Sequence, residues 1–580
     1  MVAIALLCIP VVLRNRVSAD NDAPRARAQP ELWYWHHSYN INSENVNKSR
    51  VLIDKAAASG YTGVVFWDSG LNYLGNASWP AKNADFLRAA IEYANRKHLK
   101  IIAAPSLYGY SNETLAANPN WAEAQRVIGA QFQVDRAGKR LLFKNSFPGL
   151  ANSGFESGKR DWFSTGDAGI GVNTIAHGGK TSGVIVDAPG NARFRQKIPL
   201  QPWRQYHLRL FYRASKFHGN AMVSVYDSGN LEKVRFNVTL QTAGDHDWTQ
   251  ADYTFNSQAS TEGYLYFGVW GSSSGILWFD DVTLEETSLV YLVRRPGAPL
   301  KIYDPARPSR VYREGTDVKF IQDGRMVSTN EPFTDDYHQP SPVSLTEGTQ
   351  LRPTQMVAID YYAALPVPGT HGVSMCMTEP AALQWVRQNA GAINRILPRG
   401  AGMVLGYDEI RQMNSCATCR VKKFSAGQLL AWSVGETVKS YSSVARGRPL
   451  YIWSDMFDPK HNAHDNYFSV EGDLSGGWTG VPSNVTVLNW NLDQLHQSLL
   501  WFSGRLAKQP VTHGQIVAGY YDRGDGAAAA REELGAAAGV PGLQGLMYTT
   551  WDDDYSQLAP FAQTVRAGWK QYVASVRSSE

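Results

Sequence analysis

The sequence predicts an α/β protein, a (β/α)8 TIM barrel with an inserted antiparallel β-sandwich of jelly-roll type. Three observations lead there. Short apolar runs alternate with amphipathic helical patterns near the N-terminus, helical periodicity disappears from about residue 145 to about residue 378, and the alternation then resumes to the C-terminus. Strands separated by helices imply parallel βαβ units, whereas short strands with turn residues between them imply an antiparallel sandwich. At 580 residues, with 43% hydrophobic and 19% charged residues, the chain is globular and too long for one ordinary core. A net charge of +4 without a Lys/Arg run gives no argument for nucleic acid.

In chain order, residues 1–30 read as a signal-peptide-like segment and leader. Val2–Leu13 is apolar and Val17-Ser-Ala19 offers a small-residue cleavage site, although no basic residue precedes the run and Arg14 and Arg16 follow it. The run is too short to span a membrane comfortably, and no later segment reads as transmembrane. This predicts a secreted or periplasmic protein with no membrane span in the mature chain. Residues 31–148 form the first part of the barrel, with strands at Leu32–His37, Thr62–Trp67 and Leu99–Pro105 and helices at Ser49–Ser59 and Ala84–His98. Residues 149–288 form the sandwich, with seven short strands from Phe194 to Leu284. Residues 289–355, rich in Pro and Gly, read as a linker with accessory strands. Residues 356–580 complete the barrel. Its strands are Met403–Tyr407, Pro449–Trp453, Val485–Trp490, Gln515–Tyr520 and Gly545–Thr550, and its helices begin at Pro380, Ser425, Ala527 and Pro560. Three strands before the insert and five after it make eight. Gln355–Tyr361 is left over.

In a parallel barrel the strand C-termini form the functional rim. Taken in order they carry His36 and His37, Asp68, Asp408 and Glu409, Trp453 with Asp455, Trp490 with Asn491, Tyr520 with Asp522, and Trp551 with Asp552. Aromatic faces match the apolar faces of sugars, carboxylates accept hydroxyl hydrogen bonds, and a protonated acid can donate to a leaving oxygen. This pattern suits an oligosaccharide, polysaccharide or glycoconjugate substrate. Phosphate chemistry would want Gly-rich turns or Arg clusters. His461, His464 and Asp465 are the nearest approach to metal-ligand spacing and read as a solvated loop. Cys376, Cys416 and Cys419 leave a disulfide or ordinary buried thiols open. Cys416-Ala-Thr-Cys419 has no second pair or His cluster to complete four metal ligands. No metal site and no cofactor are therefore expected.

Two resemblances follow from particular residues. Asn152-Ser-Gly-Phe-Glu156, Trp162 and Leu277-Trp-Phe-Asp-Asp-Val-Thr-Leu284 resemble carbohydrate-binding modules of the family 4/9 type, which are jelly rolls. The barrel motifs Asp408-Glu409, Trp453, Trp490, Tyr520-Tyr-Asp522 and Trp551 resemble glycoside hydrolase family 20, the β-N-acetylhexosaminidases. Two departures stand out: Val404-Leu-Gly-Tyr407 replaces the family's His-x-Gly-Gly, and Trp33–His37 lacks its Arg. The resemblance implies substrate-assisted retaining cleavage of a β-linked N-acetylhexosaminide. It implies catalytic roles for Glu409 as acid and base, Asp408 as orienter of the acetamido group and Tyr520 as its hydrogen-bond donor. His36, Asp68, Trp453, Asp455, Trp490, Asp522 and Trp551 are the expected substrate-binding residues. A retaining glycosidase using Asp455 or Asp68 as nucleophile, or a non-catalytic carbohydrate-binding protein, are the alternatives.

Overall fold

A computed structural model describes residues 27–76, 81–163, 167–231, 233–328, 332–334, 337–367, 372–506 and 512–579. The signal-like segment and Cys8 lie outside them. Among the described residues no helix is long and apolar enough to cross a membrane.

Eight parallel strands close into a barrel: β1 (Glu31–Ser38), β2 (Gly63–Asp68), β3 (Lys100–Ala103), β4 (Gly402–Val404), β5 (Leu450–Trp453), β6 (Val485–Asn489), β7 (Gln515–Tyr520) and β8 (Leu543–Thr549). Leu32 of β1 pairs with Leu546 of β8 and shuts the cylinder. The two-residue strand period sorts the side chains. Trp33, Trp35, Val65, Val404, Trp453, Leu488, Ile516 and Met547 fill the interior. Leu32, Tyr34, Val64, Phe66, Met403, Ile452, Val487 and Leu546 pack into a separate core with the helices. Those helices include Val46–Ala58, Ala81–Arg96, Pro380–Ile396, Ala426–Val444, Gly526–Ala536 and Leu558–Ser579. Pro380 occupies the first turn of its helix, where a missing N–H costs nothing. Ser425 and Gln428 form a capping box at the start of Ala426–Val444.

Between β3 and β4 the chain builds two antiparallel sheets. One has seven strands and its own apolar core around Phe155, Trp162, Leu208, Val223, Phe267 and Phe279. Its two longest strands, Gln205–Asp227 and Glu262–Thr287, pair with register shifts at Trp270–Ile276 and Asp280–Thr283. No helix falls between residues 149 and 288 among the described residues.

The other sheet has six strands, in the order Arg307–Tyr312, Lys301–Asp304, Met356–Ala363, Gln125–Asp135, Arg140–Phe143, Val343–Ser344. It revises the sequence reading at both boundaries. Residues 125–143 leave the barrel wall and join this sheet, and the strand left over near Gln355–Tyr361 lies at its centre. Its central pairing joins segments some 220 residues apart, as in Met356 with Gln133, so local pattern could not reveal how the sheet's two halves meet. Arg126 lies over the Trp203 ring at 3.4 Å and ion-pairs with Glu471 at 3.1 Å, tying this sheet to the insert and to the barrel loops.

Candidate active site

The acid pair reaches the rim through a short strand and an irregular loop. Beyond β4, Gly406 and Tyr407 adopt left-handed backbone at φ 78° and 74°. A Cβ at Gly406 would lie 2.8 Å from the Leu107 carbonyl oxygen, so glycine meets both demands there. Tyr407 turns outward, stacks on Tyr108 at 4.4 Å and shares hydroxyl hydrogen bonds with Ser433 (2.8 Å) and Thr437 (2.9 Å). Gly109 supports the loop from below, and a Cβ there would come within 1.7 Å of the Asp408 carbonyl oxygen. Asp408 and Glu409 are therefore held by the β3 and β4 loops together.

The two acids occupy different electrostatic settings. Burial, and then the charges of Asp455 and Glu409, push Asp408 up to about 8. Glu409 has both oxygens engaged. Oε1 accepts from Arg411 at 2.7 Å, and Oε2 accepts from the Tyr110 hydroxyl, which itself accepts from Arg411 at 2.8 Å. Behind the pair, fully buried Asp455 accepts from the Glu409 N–H (2.8 Å), Asn462 Nδ2 (2.9 Å) and Trp490 Nε1 (3.2 Å). Burial raises its carboxyl, and it fixes an acid and an aromatic wall at once.

These groups open onto a cavity of about 470 Å³ lined by Tyr39, Trp67, Ser106, Tyr110, Asn112, Glu113, Asp408, Glu409, Trp453, Trp490, Tyr521 and Trp551. Trp35 lies beneath it, with ring centroids 5.5 Å from Trp453 and 5.4 Å from Trp551. Glu113 holds its carboxylate toward Ser69 (2.7 Å) and Asn72 (2.8 Å), and burial raises it.

Of the residues expected from sequence, Asp408, Glu409, Trp453, Trp490 and Trp551 line the cavity. The others stand elsewhere. His36 faces the helix layer against Phe66 at 5.0 Å, and burial lowers it to about 4. Its neighbour His37 has the inward parity and meets Trp67 (4.9 Å) and Trp551 (5.4 Å). Tyr520 stacks on Tyr548 at 4.3 Å in the outer core, while Tyr521 enters the cavity. Left-handed backbone at Tyr520, Tyr521 and Asp522 (φ 76°, 43° and 58°) breaks the alternation that would have pointed Tyr520 inward. Asp68 pins a turn by accepting from Ser38, Ile41 N (3.0 Å) and Gly70 N (2.8 Å), and burial raises it to about 6. Asp522 accepts from Thr550 and from the Trp551 N–H (2.9 Å), positioning the Trp551 loop. Tyr110 and Glu113 were missed, although Leu107-Tyr-Gly-Tyr110 followed by Glu113 repeats the aromatic-plus-acid pattern of the other strand ends. His461 abuts Trp490 at 4.2 Å, in the wall of the site. Cys376, Cys416 and Cys419 are joined by no disulfide among the described residues and lie buried together beside Glu123, away from the cavity lining.

No family model matches this chain, and no curated protein matches it. Solved structures similar to part of it include a family 16 carbohydrate-binding module (21% identity, 23% of this chain and 97% of that one, TM-score 0.20). A CBM4 module gives 21% identity over 24% of this chain and 99% of that one, with TM-score 0.20. The module TmCBM61, solved with β-1,4-galactotriose, gives 21% identity over 24% and 97%, with TM-score 0.19.

Proposed function

We propose that the rim is a glycoside-hydrolysing site acting on a β-linked N-acetylhexosaminide with net retention. The observation that carries this reading is the pair of adjacent carboxyls in contrasting settings at the mouth of an aromatic cavity. Asp408 is pushed toward the neutral form by burial and by like charge, and Glu409 is ion-paired with Arg411. A carboxyl kept neutral beside one held by a guanidinium is an arrangement that suits acid–base chemistry. Flat rings from Trp67, Trp453, Trp490 and Trp551 suit sugar faces, and the cavity volume suits a small number of sugar rings.

On this reading the two roles implied by the family resemblance are exchanged. Asp408 holds a proton at neutral pH and is placed to donate it to the leaving oxygen. Glu409, fixed between Tyr110 and Arg411, is placed to accept the acetamido N–H or a hydroxyl. Tyr521, in place of Tyr520, is the phenol available to the acetamido oxygen. Substrate assistance is favoured over an enzyme nucleophile because Asp455 and Asp68 do not line the cavity. Such a mechanism needs no carboxylate nucleophile. The alternative of a carboxylate nucleophile falls to Glu113, the remaining acid in the cavity, which burial also favours in its neutral form.

The test is a panel of nitrophenyl glycosides, with N-acetylglucosaminide and N-acetylgalactosaminide beside glucoside and galactoside. Preference for the acetamido sugars with inhibition by a thiazoline analogue is expected. Turnover of plain glycosides with trapping of a covalent glycosyl-enzyme would move the assignment to Glu113, and no turnover of any glycoside would remove it.

A further inference from the structure

Where the chain leaves the barrel and where it returns, the two segments run side by side. Ala122 and Met375 form an antiparallel bridge, the Glu123 N–H donates to the Ser374 carbonyl (2.7 Å), and the Cys376 N–H donates to the Trp121 carbonyl (2.8 Å). Cys416 and Cys419 approach this neck from the far end of the loop that carries the acid pair. The four side chains that meet there, Glu123, Cys376, Cys416 and Cys419, are all buried, and their ligand atoms lie within 4.8 Å of one another.

We propose that Glu123, Cys376, Cys416 and Cys419 form a closed four-ligand structural site for a thiophilic divalent cation, zinc foremost, which pins the neck of the insertion to the acid-pair loop. The sulfurs form a nearly equilateral triangle, with Cys376–Cys416 and Cys416–Cys419 at 3.4 Å and Cys376–Cys419 at 3.8 Å. A tetrahedron with metal–sulfur bonds of about 2.3 Å has sulfur–sulfur edges of about 3.8 Å. Glu123 Oε2 stands 3.5 Å from Cys419 Sγ, at the fourth corner. A disulfide would draw two sulfurs to about 2.05 Å and leave the third odd. Nothing in that arrangement calls for a buried carboxylate.

The surroundings fit a ligand set as well. Glu123 Oε1 accepts from Ser415 N (2.9 Å), Ser415 Oγ (2.9 Å) and Cys416 N (2.8 Å), which aims Oε2 at the thiols. Thr418 and Thr378 hydroxyls reach Cys416 and Cys419 at 3.2 Å, as partners of metal-bound thiolates do. Three thiolates and a carboxylate around a divalent ion leave excess negative charge. Arg295, which interacts with Cys376, Cys416 and Glu123 and donates to the Ala122 carbonyl (3.0 Å), offsets part of it. All four positions are protein ligands and none opens to the cavity, so the role is structural. Soft thiolates select zinc over magnesium or calcium.

Elemental analysis of the full-length protein, purified without chelator, reads this directly. About one zinc per chain is expected. Cys419→Ser is expected to weaken retention against a competing chelator by at least about tenfold. Cobalt-exchanged wild type is expected to show thiolate-to-cobalt charge-transfer absorption. Wild type that stays metal-free after incubation with zinc, or has an intact mass two hydrogens below the all-thiol value, overturns the site. So does a cobalt form without that absorption. If Cys419→Ser fails to fold, the wild-type measurements decide alone. None of the readouts uses glycosidase activity, so this site and the rim stand or fall separately.

Discussion

In the insert, Phe155 stacks on Trp162 at 5.5 Å, and Trp162 and Phe279 meet Phe267 at 4.9 and 5.0 Å. All four rings are buried against one another. At the barrel rim, Trp67, Trp453, Trp490 and Trp551 surround a cavity instead, and Trp551 is 46% exposed. Both sets are aromatic, but in one region the rings saturate each other and in the other they leave a shared face free. Aromatic abundance therefore says little by itself. Rings converging on a space that also holds Asp408, Glu409 and Glu113 say much more, because carboxyls among rings are costly unless they are used or paired.

The sharpest way to break this contrast is through the acids. Asp408→Asn and Glu409→Gln should each lower turnover by ~10²–10⁴-fold, the usual cost of losing a general acid or its partner. The Asp408 loss should be larger on substrates with poor leaving groups than on nitrophenyl glycosides. The Glu409 loss should be similar on both. The reverse ratio would restore the roles implied by the family resemblance. Near-normal rates in both variants would make the rim a binding surface.

Gly109→Ala is the next largest effect. Its Cβ would lie 1.7 Å from the Asp408 carbonyl oxygen, so the acid-pair loop must move. Misplacement by about 1 Å can cost on the order of 10²-fold in rate. Steady-state kinetics beside circular dichroism should show lost kcat with the fold retained. Unchanged kcat would mean that the loop absorbs the methyl without moving the acids.

The pH profile follows. Folded Asp408 titrates at about 8, far above an exposed aspartate, so the protonated form persists through neutrality. If that form is the proton donor, kcat/KM should fall as pH rises through about 8, by about tenfold per unit beyond it, and the limb should vanish in Asp408→Asn. Stability should follow the same sign. The folded state holds this proton between the unfolded value and about 8, so the group's contribution declines as pH rises across that window. A kcat/KM that instead rises through pH 8 would assign the ionised form to catalysis.

Much of this was legible beforehand. Apolar runs such as Val485–Asn489 and Gln515–Tyr520 marked all eight barrel strands, because a strand buried on both faces has few polar residues to confuse its ends. Parity along Trp33, Trp35 and His37 could have excluded His36. Nothing local could have exchanged Tyr520 for Tyr521, since three successive left-handed residues reset the alternation. Nor could sequence bring Glu123 to Cys416 across 293 positions, because that contact exists only once the insertion's two ends meet.

The smallest expected effect on activity returns to the two sets of rings. Trp490→Ala removes a cavity wall whose indole N–H donates to Asp455. A ring contact of this kind contributes about 0.5–1.5 kcal/mol, so KM should rise several-fold with kcat changed less. Trp162→Ala should do the opposite. Its indole donates to the Asn152 carbonyl at 2.8 Å inside the insert's core, and truncating a buried Trp costs about 3–5 kcal/mol of stability. Thermal unfolding should shift down, while kcat and KM for a small glycoside, measured well below the transition, stay at wild-type values. A KM change in Trp162→Ala would couple the insert to the rim and end the separation between rings that pack and rings that bind.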